Sequence, residues 1–236
     1  MEQICFCDLI FSGLERNRIL NSSADFQQIV TVGAEFIVEA HKNDRLKSII
    51  NNNVATFDGQ VPFLVAKRKN KKTQFEKISG ADFIYDICEK AARENNRIFL
   101  LGGTDVSNPA SVKIMKEMGI DAAGYVTGII PYPFPKERLD DILKQIELFK
   151  PTYLFVGLGM CKQEYFIDDN REFLQKIGVK MAVGSGGTFE VFSGTIKRAP
   201  IWMQKIGLEG LYRLISNPSL KRFKRLLSTV KFLKYI

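Results

Sequence analysis

The chain has 236 residues, 45% of them hydrophobic and 25% charged, with a formal net charge of +8. This is a globular composition, which excludes wholesale disorder, and the length suits one α/β domain or a domain with a short extension. The charge is uneven: residues 197–236 hold ten Lys/Arg and one acid, Glu209, whereas residues 1–196 hold 24 basic against 25 acidic residues.

Apolar runs alternate with amphipathic segments along the chain, the pattern of a βα-repeating layer fold with a largely parallel sheet. Strands are expected at 28–32, 54–57, 97–101, 153–156 and 180–183, and helices at 34–50, 81–95, 109–118, 136–149 and 162–177. In the 34–50 segment Phe36, Ile37, Ala40, Leu46, Ile49 and Ile50 form a broad stripe near helical period. Residues 67–72 (Lys-Arg-Lys-Asn-Lys-Lys) read as an exposed basic loop, and Pro131-Tyr-Pro-Phe-Pro135 breaks any regular element. Residues 200–218 suit one or two short helices, and 220–235 a terminal helix.

No run approaches the ~18–20 apolar residues that a bilayer span requires. The opening Met1-Glu2-Gln3 lacks the basic start of a secretory signal. Cys5, Cys7, Cys88 and Cys161 form no C-x-x-C pair, and Cys5-x-Cys7 is too tight for the usual zinc spacing. The single histidine, His41, reads as a helix-surface residue and offers little to a metal site or a Ser-His-Asp triad. The expectation is a reduced, cytosolic protein.

Three strands run straight into glycine turns: Phe99-Leu-Leu-Gly-Gly-Thr104, Leu154-Phe-Val-Gly-Leu-Gly-Met160 and Ala182-Val-Gly-Ser-Gly-Gly-Thr188. In open α/β sheets ligands bind beyond the carboxyl ends of the strands, where backbone amides approach a phosphate. Gly102, Gly103, Gly157, Gly159 and Gly187 are therefore candidate binding positions, although glycine turns also serve tight strand-to-helix connections. Neither G-x-G-x-x-G nor a Walker motif is present, which argues against a nicotinamide dehydrogenase or an ATPase.

Further segments complete an ordered set. Gly157-Leu-Gly-Met-Cys-Lys-Gln-Glu164, Gly186-Gly-Thr-Phe-Glu-Val-Phe-Ser-Gly194, Lys197-Arg-Ala-Pro-Ile-Trp202 and Gly207-Leu-Glu-Gly-Leu-Tyr-Arg-Leu214 follow one another, preceded by Thr31-Val-Gly-Ala-Glu35, Phe57-Asp-Gly59 and Phe99-Leu-Leu-Gly-Gly103. From about residue 28 to the C-terminus the chain resembles the bacterial WecG/TagA/CpsF glycosyltransferase family. It departs from the family pattern at Cys161 (proline there), Glu190 (aspartate), Gly210 (tryptophan) and Gly33 (asparagine), and by two extra residues between Ser219 and the Arg222/Arg225 pair. The resemblance implies a Rossmann-like layered parallel sheet with a basic C-terminal helical appendage. It also implies an inverting transfer of N-acetylmannosamine, its uronic acid or a related hexose from a UDP-sugar to a polyprenyl-diphosphate-linked sugar, in surface-polysaccharide synthesis.

Such a transfer needs a base for the acceptor hydroxyl and stabilisation of the departing diphosphate. Asp58 matches the family's base; it ends a strand, and Gly59 lets the backbone turn so that the carboxylate faces a crevice. From the residues alone an Asx turn is the alternative. Thr31 matches the family's active-site threonine, with capping of the following helix as its alternative. Gln163 and Glu164 open a helix where they could meet the donor, Glu164 being favoured there by the dipole alone. Glu190 falls where the family's aspartate stands and could hydrogen-bond the nucleoside, its carboxylate ~1.5 Å further out. There is no D-x-D; the pairs Asp140-Asp141 and Asp168-Asp169 lie within helices, where successive positions do not share a face. The expectation is metal-independent chemistry without a cofactor, with Arg213, Arg222 and Arg225 neutralising the diphosphate.

The expected division is an α/β catalytic body, 1–196, and a helical appendage, 197–236, expected to associate with the membrane and to complete the active site. In the appendage Leu220, Phe223, Leu226, Leu227, Val230 and Leu233 recur at spacings of three or four among lysines and arginines. A basic amphipathic helix suits the anionic inner leaflet of the cell membrane, where a lipid-linked acceptor presents its head group; packing of the stripe on the body is the alternative. A basic tail also suits nucleic acid, but no helix-turn-helix or aromatic-interleaved sheet accompanies it, so no nucleic-acid partner is expected. A non-catalytic UDP-sugar-binding paralogue remains the rival reading, and a homo-oligomer is compatible with the sequence.

Overall fold

The computed structural model describes residues 2–216 and 218–236, with the side chains of Arg213 and Lys221 outside the described set. The chain forms two compact units. The first comprises the residues up to Ile19, Val30–Ser79 and Lys197–Ile236; the second comprises Leu20–Ile29 and Gly80–Ile196.

A hairpin opens the chain: β1 (Ile4–Phe6) pairs antiparallel with β2 (Leu9–Phe11), with Phe6 opposite Leu9. Cys7 and Asp8 form its turn with φ of 52° and 54°, the backbone of the turns that match strand twist. Six strands follow: β3 (Gln27–Val32), β4 (Val54–Phe57), β5 (Ile98–Gly102), β6 (Ala122–Tyr125), β7 (Tyr153–Gly157) and β8 (Met181–Gly184). They form one sheet in the order β4-β3-β8-β7-β5-β6, with β5, β6, β7 and β8 paired in parallel. The expected α/β layered architecture is thus the observed one.

In the first unit the ring of Phe11 stacks on that of Phe57 with centroids 3.9 Å apart. The expected 34–50 helix is two helices, Ala34–Ala40 and Asp44–Asn52, because Asn43 N-caps the second by accepting the Leu46 N–H at 3.1 Å. Helix Gln60–Lys69 was not expected; its apolar residues Val61, Phe63, Leu64 and Val65 form no stripe. It also corrects the basic loop, since Lys67, Arg68 and Lys69 occupy its last turn, where the helix dipole favours cations.

The appendage forms helices Ile201–Lys205, Glu209–Ser216 and Leu220–Lys231, then a 3₁₀ turn, Phe232–Tyr235. Phe232 is wholly buried, Tyr235 stacks on His41 with centroids 3.9 Å apart, and Lys69 Nζ donates to the Ile236 carbonyl at 2.7 Å. His41 is therefore largely covered rather than a surface residue, as this contact with the chain end was invisible in its local sequence. Among the described residues no helix is long and apolar enough to cross a membrane.

In the second unit β5 is buried along its whole length, as a parallel strand covered on both faces should be. Phe99, Leu101, Leu154 and Val156 pack with Ile142, Ile146, Phe166, Ile167 and Leu174 from the helices. The expected 162–177 helix breaks at Asn170 into Lys162–Asp169 and Arg171–Lys176. The cysteines are free, and burial pushes the thiols of Cys7 and Cys88 up to about 11 and about 12, the profile of inert structural residues.

Candidate active site

In the first unit β3 and β4 are neighbours, and the Asp58 N–H donates to the Val32 carbonyl at 3.0 Å. That bond pins the two strand ends together and sets Asp58 beside the Thr31–Val32 end of β3. Thr31 is buried and Asp58 half-buried. Gly59 follows with φ of +87°, a conformation that side chains rarely adopt, and turns the chain into helix Gln60–Lys69. Helix Ala34–Ala40 takes Gly33, not Thr31, as its N-cap. A Cβ at Gly33 would meet the Asp58 carbonyl at 3.4 Å, and φ there is −95°, so the backbone accommodates the family's asparagine.

Arg225, 50% exposed, approaches this region: its Nε lies 2.8 Å from Glu35 Oε2 in the first turn of Ala34–Ala40. The backbone N–H of Arg222 donates to Ser219 Oγ at 3.2 Å, making Ser219 the N-cap of the last helix, and the Arg222 side chain is half-buried. The Arg213 side chain lies outside the described residues.

In the second unit the glycine turns share one end of the sheet, with Gly102 opposite Gly157 and Val156 opposite Gly184. Protein atoms fill the space where side chains would stand. A Cβ at Gly102 would come within 2.7 Å of the Gly157 carbonyl, and one at Gly103 within 2.7 Å of the Phe189 ring. One at Gly157 would meet that ring at 2.9 Å, whereas Gly159 faces open space. The Gly103 N–H donates to the Gly157 carbonyl at 3.1 Å, so the first two turns brace each other.

Gln163 and Glu164 are both buried in the first turn of Lys162–Asp169. The Gln163 amide bridges inward: Nε2 donates to Glu164 Oε1 at 2.8 Å, and Oε1 accepts the Gly186 N–H at 3.0 Å. Glu190 lies in the short helix Thr188–Phe192; its Oε2 is buried without a hydrogen-bond partner, 3.7 Å from where a Cβ on Gly187 would stand. Asp168 lies 3.7 Å from Arg171, and Tyr125 donates to Asp141. Among the described residues no three His, Cys, Asp or Glu side chains cluster as metal ligands. A shallow polar cavity lined by Gln27, Lys90, Asn96, Tyr153 and Met181 lies at the opposite end of the sheet, where β3, β7 and β8 begin, away from the glycine turns.

Two participants escaped the sequence reading. Glu35 was visible in its motif, but its partner Arg225 is far along the chain. Gly184, where a Cβ would come within 2.5 Å of Glu164 Oε1, reads in sequence as an ordinary strand end.

Glycine turns at the carboxyl ends of parallel strands are where α/β proteins commonly bind phosphate-bearing ligands. The chain belongs to the Glycosyl transferase WecG/TagA/CpsF family, whose family model matches residues 11–236. The match begins upstream of the resemblance and takes in part of the first hairpin. The chain is 35% identical over 207 residues to an N-acetylglucosaminyldiphosphoundecaprenol N-acetyl-beta-D-mannosaminyltransferase of Bacillus subtilis (strain 168), covering 86% of this chain and 76% of that protein. It is 33% identical over 209 residues to a protein of the same name from Bacillus spizizenii (strain ATCC 23059 / NRRL B-14472 / W23), again covering 86% and 76%. The protein is a glycosyltransferase.

Proposed function

We propose that this enzyme transfers N-acetylmannosamine or a related hexose from a UDP-sugar to a sugar carried on a polyprenyl diphosphate, with inversion. The acceptor hydroxyl attacks C1 as Asp58 takes its proton; the new C1–O bond forms while the bond to the diphosphate breaks and UDP departs. Thr31 hydrogen-bonds a sugar, and Arg222 and Arg225 neutralise the leaving diphosphate in place of a metal ion. The observation that carries this reading is the half-buried carboxylate of Asp58 beside the Thr31 strand end, in a chain whose relatives bear the name of that transfer.

The enzyme works at the surface of the membrane that holds its acceptor. Leu220, Phe223, Val230 and Leu233 are exposed on the basic terminal segment, and Ile201, Trp202 and Ile206 on helix Ile201–Lys205 and at its end. Exposed apolar groups among lysines and arginines favour an anionic bilayer interface.

Asp58→Asn keeps the shape and removes the base. UDP release from UDP-N-acetylmannosamine with a synthetic lipid-diphosphate-sugar acceptor is expected to fall by about 10²–10⁴-fold; near-wild-type turnover would sink the assignment. Activity is expected to persist in chelator, and its loss with rescue by Mg²⁺ or Mn²⁺ would overturn the role given to the arginines.

A further inference from the structure

Glu164 is a carboxyl in a costly place. Its side chain is wholly buried, and Oε2 has no hydrogen-bond partner. Burial pushes its pKa up to about 7, against partial relief from the Gln163 amide and the N–H groups of Glu164 and Cys161; no charged side chain contributes. The groups around it are few. Gln163 faces it from the same helix, Cys161 from the turn before, and Gly184 from β8. Gln28 of β3 donates to its backbone carbonyl at 3.1 Å, and Arg171 in turn donates to Gln28 Oε1, also at 3.1 Å.

A buried carboxyl destabilises a fold unless hydrogen bonds satisfy it, and here the side-chain donor is Gln163. With Nε2 committed to Glu164, the amide oxygen is the end that faces the Gly186 N–H. Flipping the amide would set N–H against the Gly186 N–H, and, once the carboxyl is ionised and acceptor-only, oxygen against Glu164 Oε1, so the two partners together select one orientation. Gly184 makes the approach to β8 possible, because a Cβ there would stand 2.5 Å from Glu164 Oε1 and 2.8 Å from Gln163 Nε2.

We propose that Glu164 is a positioning residue: it fixes the Gln163 amide and, through it, the 185–187 turn, and it makes no contact with substrate. The consequence for activity rests on the proposed glycosyl transfer and on assigning this glycine turn, a candidate phosphate-binding position, to its UDP-sugar donor. Ionising the carboxyl strengthens its pull on Gln163 Nε2 and leaves a charged Oε2 without a donor, so the amide and the Gly186 N–H it holds must readjust.

The Gly186 amide resonance of the isotope-labelled full chain reports this without any variant. Scanned from about pH 5.5 to 8.5, it is expected to move with a midpoint about 7, the value to which burial pushes Glu164. The movement should vanish in Glu164→Gln, which cannot ionise, and in Gln163→Met, which cuts the relay while keeping an unbranched chain. A Gly186 resonance that does not move in the wild type, or one that still titrates in Gln163→Met, overturns the proposal. Affinity for UDP is the second readout. Glu164→Gln, whose amide oxygen can still accept from Gln163, should bind UDP within about threefold of wild type, and Glu164→Leu about tenfold more weakly. If Gly186 behaves as expected but Glu164→Leu binds UDP normally, positioning stands and the assignment of the turn to the donor falls.

Discussion

Arg225 Nε lies 2.8 Å from Glu35 Oε2, joining helix Leu220–Lys231 to the helix that follows β3. With side-chain exposures of 50% and 25%, such a pair contributes only about 0–1 kcal/mol, reduced further by salt. A diphosphate, which accepts two parallel bonds from a guanidinium, can take Arg225 from Glu35. Glu35→Gln should therefore change global stability by less than about 1 kcal/mol and speed hydrogen exchange in Leu220–Lys231 by no more than about fivefold. Arg225→Ala should lower turnover well beyond Glu35→Gln, because it also removes the partner proposed for the diphosphate. Equal losses in steady-state assays of the two variants would confine Arg225 to the ion pair.

Thr31 separates structure from chemistry in another way. Because the N-cap of the next helix is Gly33, the Thr31 hydroxyl is not required to start that helix. Thr31→Val keeps the branched shape and should cost about 1 kcal/mol, the worth of one buried hydrogen bond. The same change should lower kcat/KM by about ten- to a hundredfold if the hydroxyl meets a sugar in the transition state. Denaturant titration and steady-state kinetics on one preparation check both. A kinetic loss no larger than the loss of folded protein would remove Thr31 from the site.

The sheet was legible where composition and burial agree. β5, β7 and β8 are continuous apolar runs ending in glycine, as strands covered on both faces must be. β6 escaped because Ala-Ala-Gly-Tyr carries no β-branched residue. β1 and β2 escaped because their turn uses Cys7 and Asp8 at positive φ without glycine or asparagine. Pro62 in helix Gln60–Lys69 is tolerated in the first turn, where an N–H has no helical partner anyway. For the site, the residue types at 31, 58 and 163 were readable from motifs, but the direction each group faces was not. The Gln163–Glu164–Gly186 relay depends on β8 approaching a helix through Gly184, a tertiary contact with no local signature.

Glu164 also predicts how stability depends on pH. Its folded pKa, about 7, is raised above the ordinary 4.5, so the folded state binds the proton more tightly than the unfolded chain. Between those values the folded state keeps a proton that the unfolded chain has lost, and stability falls as pH rises. The effect is absent below the unfolded value, grows through the window and is complete above the folded value, amounting to about 3 kcal/mol in all. Glu164→Gln lacks this slope. Its stability relative to wild type should improve steadily from about pH 4.5 to 7 and level off above. Parallel curves for the two proteins in thermal or urea unfolding would show that the carboxyl ionises normally.

The terminal segment can be tested on its covered and uncovered sides separately. Phe232 is wholly buried beside the Tyr235–His41 stack, whereas Leu220 is 82% and Val230 67% exposed. Phe232→Ala removes the covered anchor and should cost up to about 3–5 kcal/mol in urea unfolding, less where the segment alone detaches. Leu220→Asp with Val230→Asp touches only exposed positions and should leave stability within about 0.5 kcal/mol. That double variant should nonetheless lose cosedimentation with phosphatidylglycerol vesicles, because it places charge where the apolar face would enter the bilayer interface. It should retain turnover on a short-chain, water-soluble acceptor and lose it on acceptor embedded in vesicles. Undiminished vesicle binding by the double variant would mean that the lysines and arginines hold the membrane alone, and that the exposed apolar residues serve another contact.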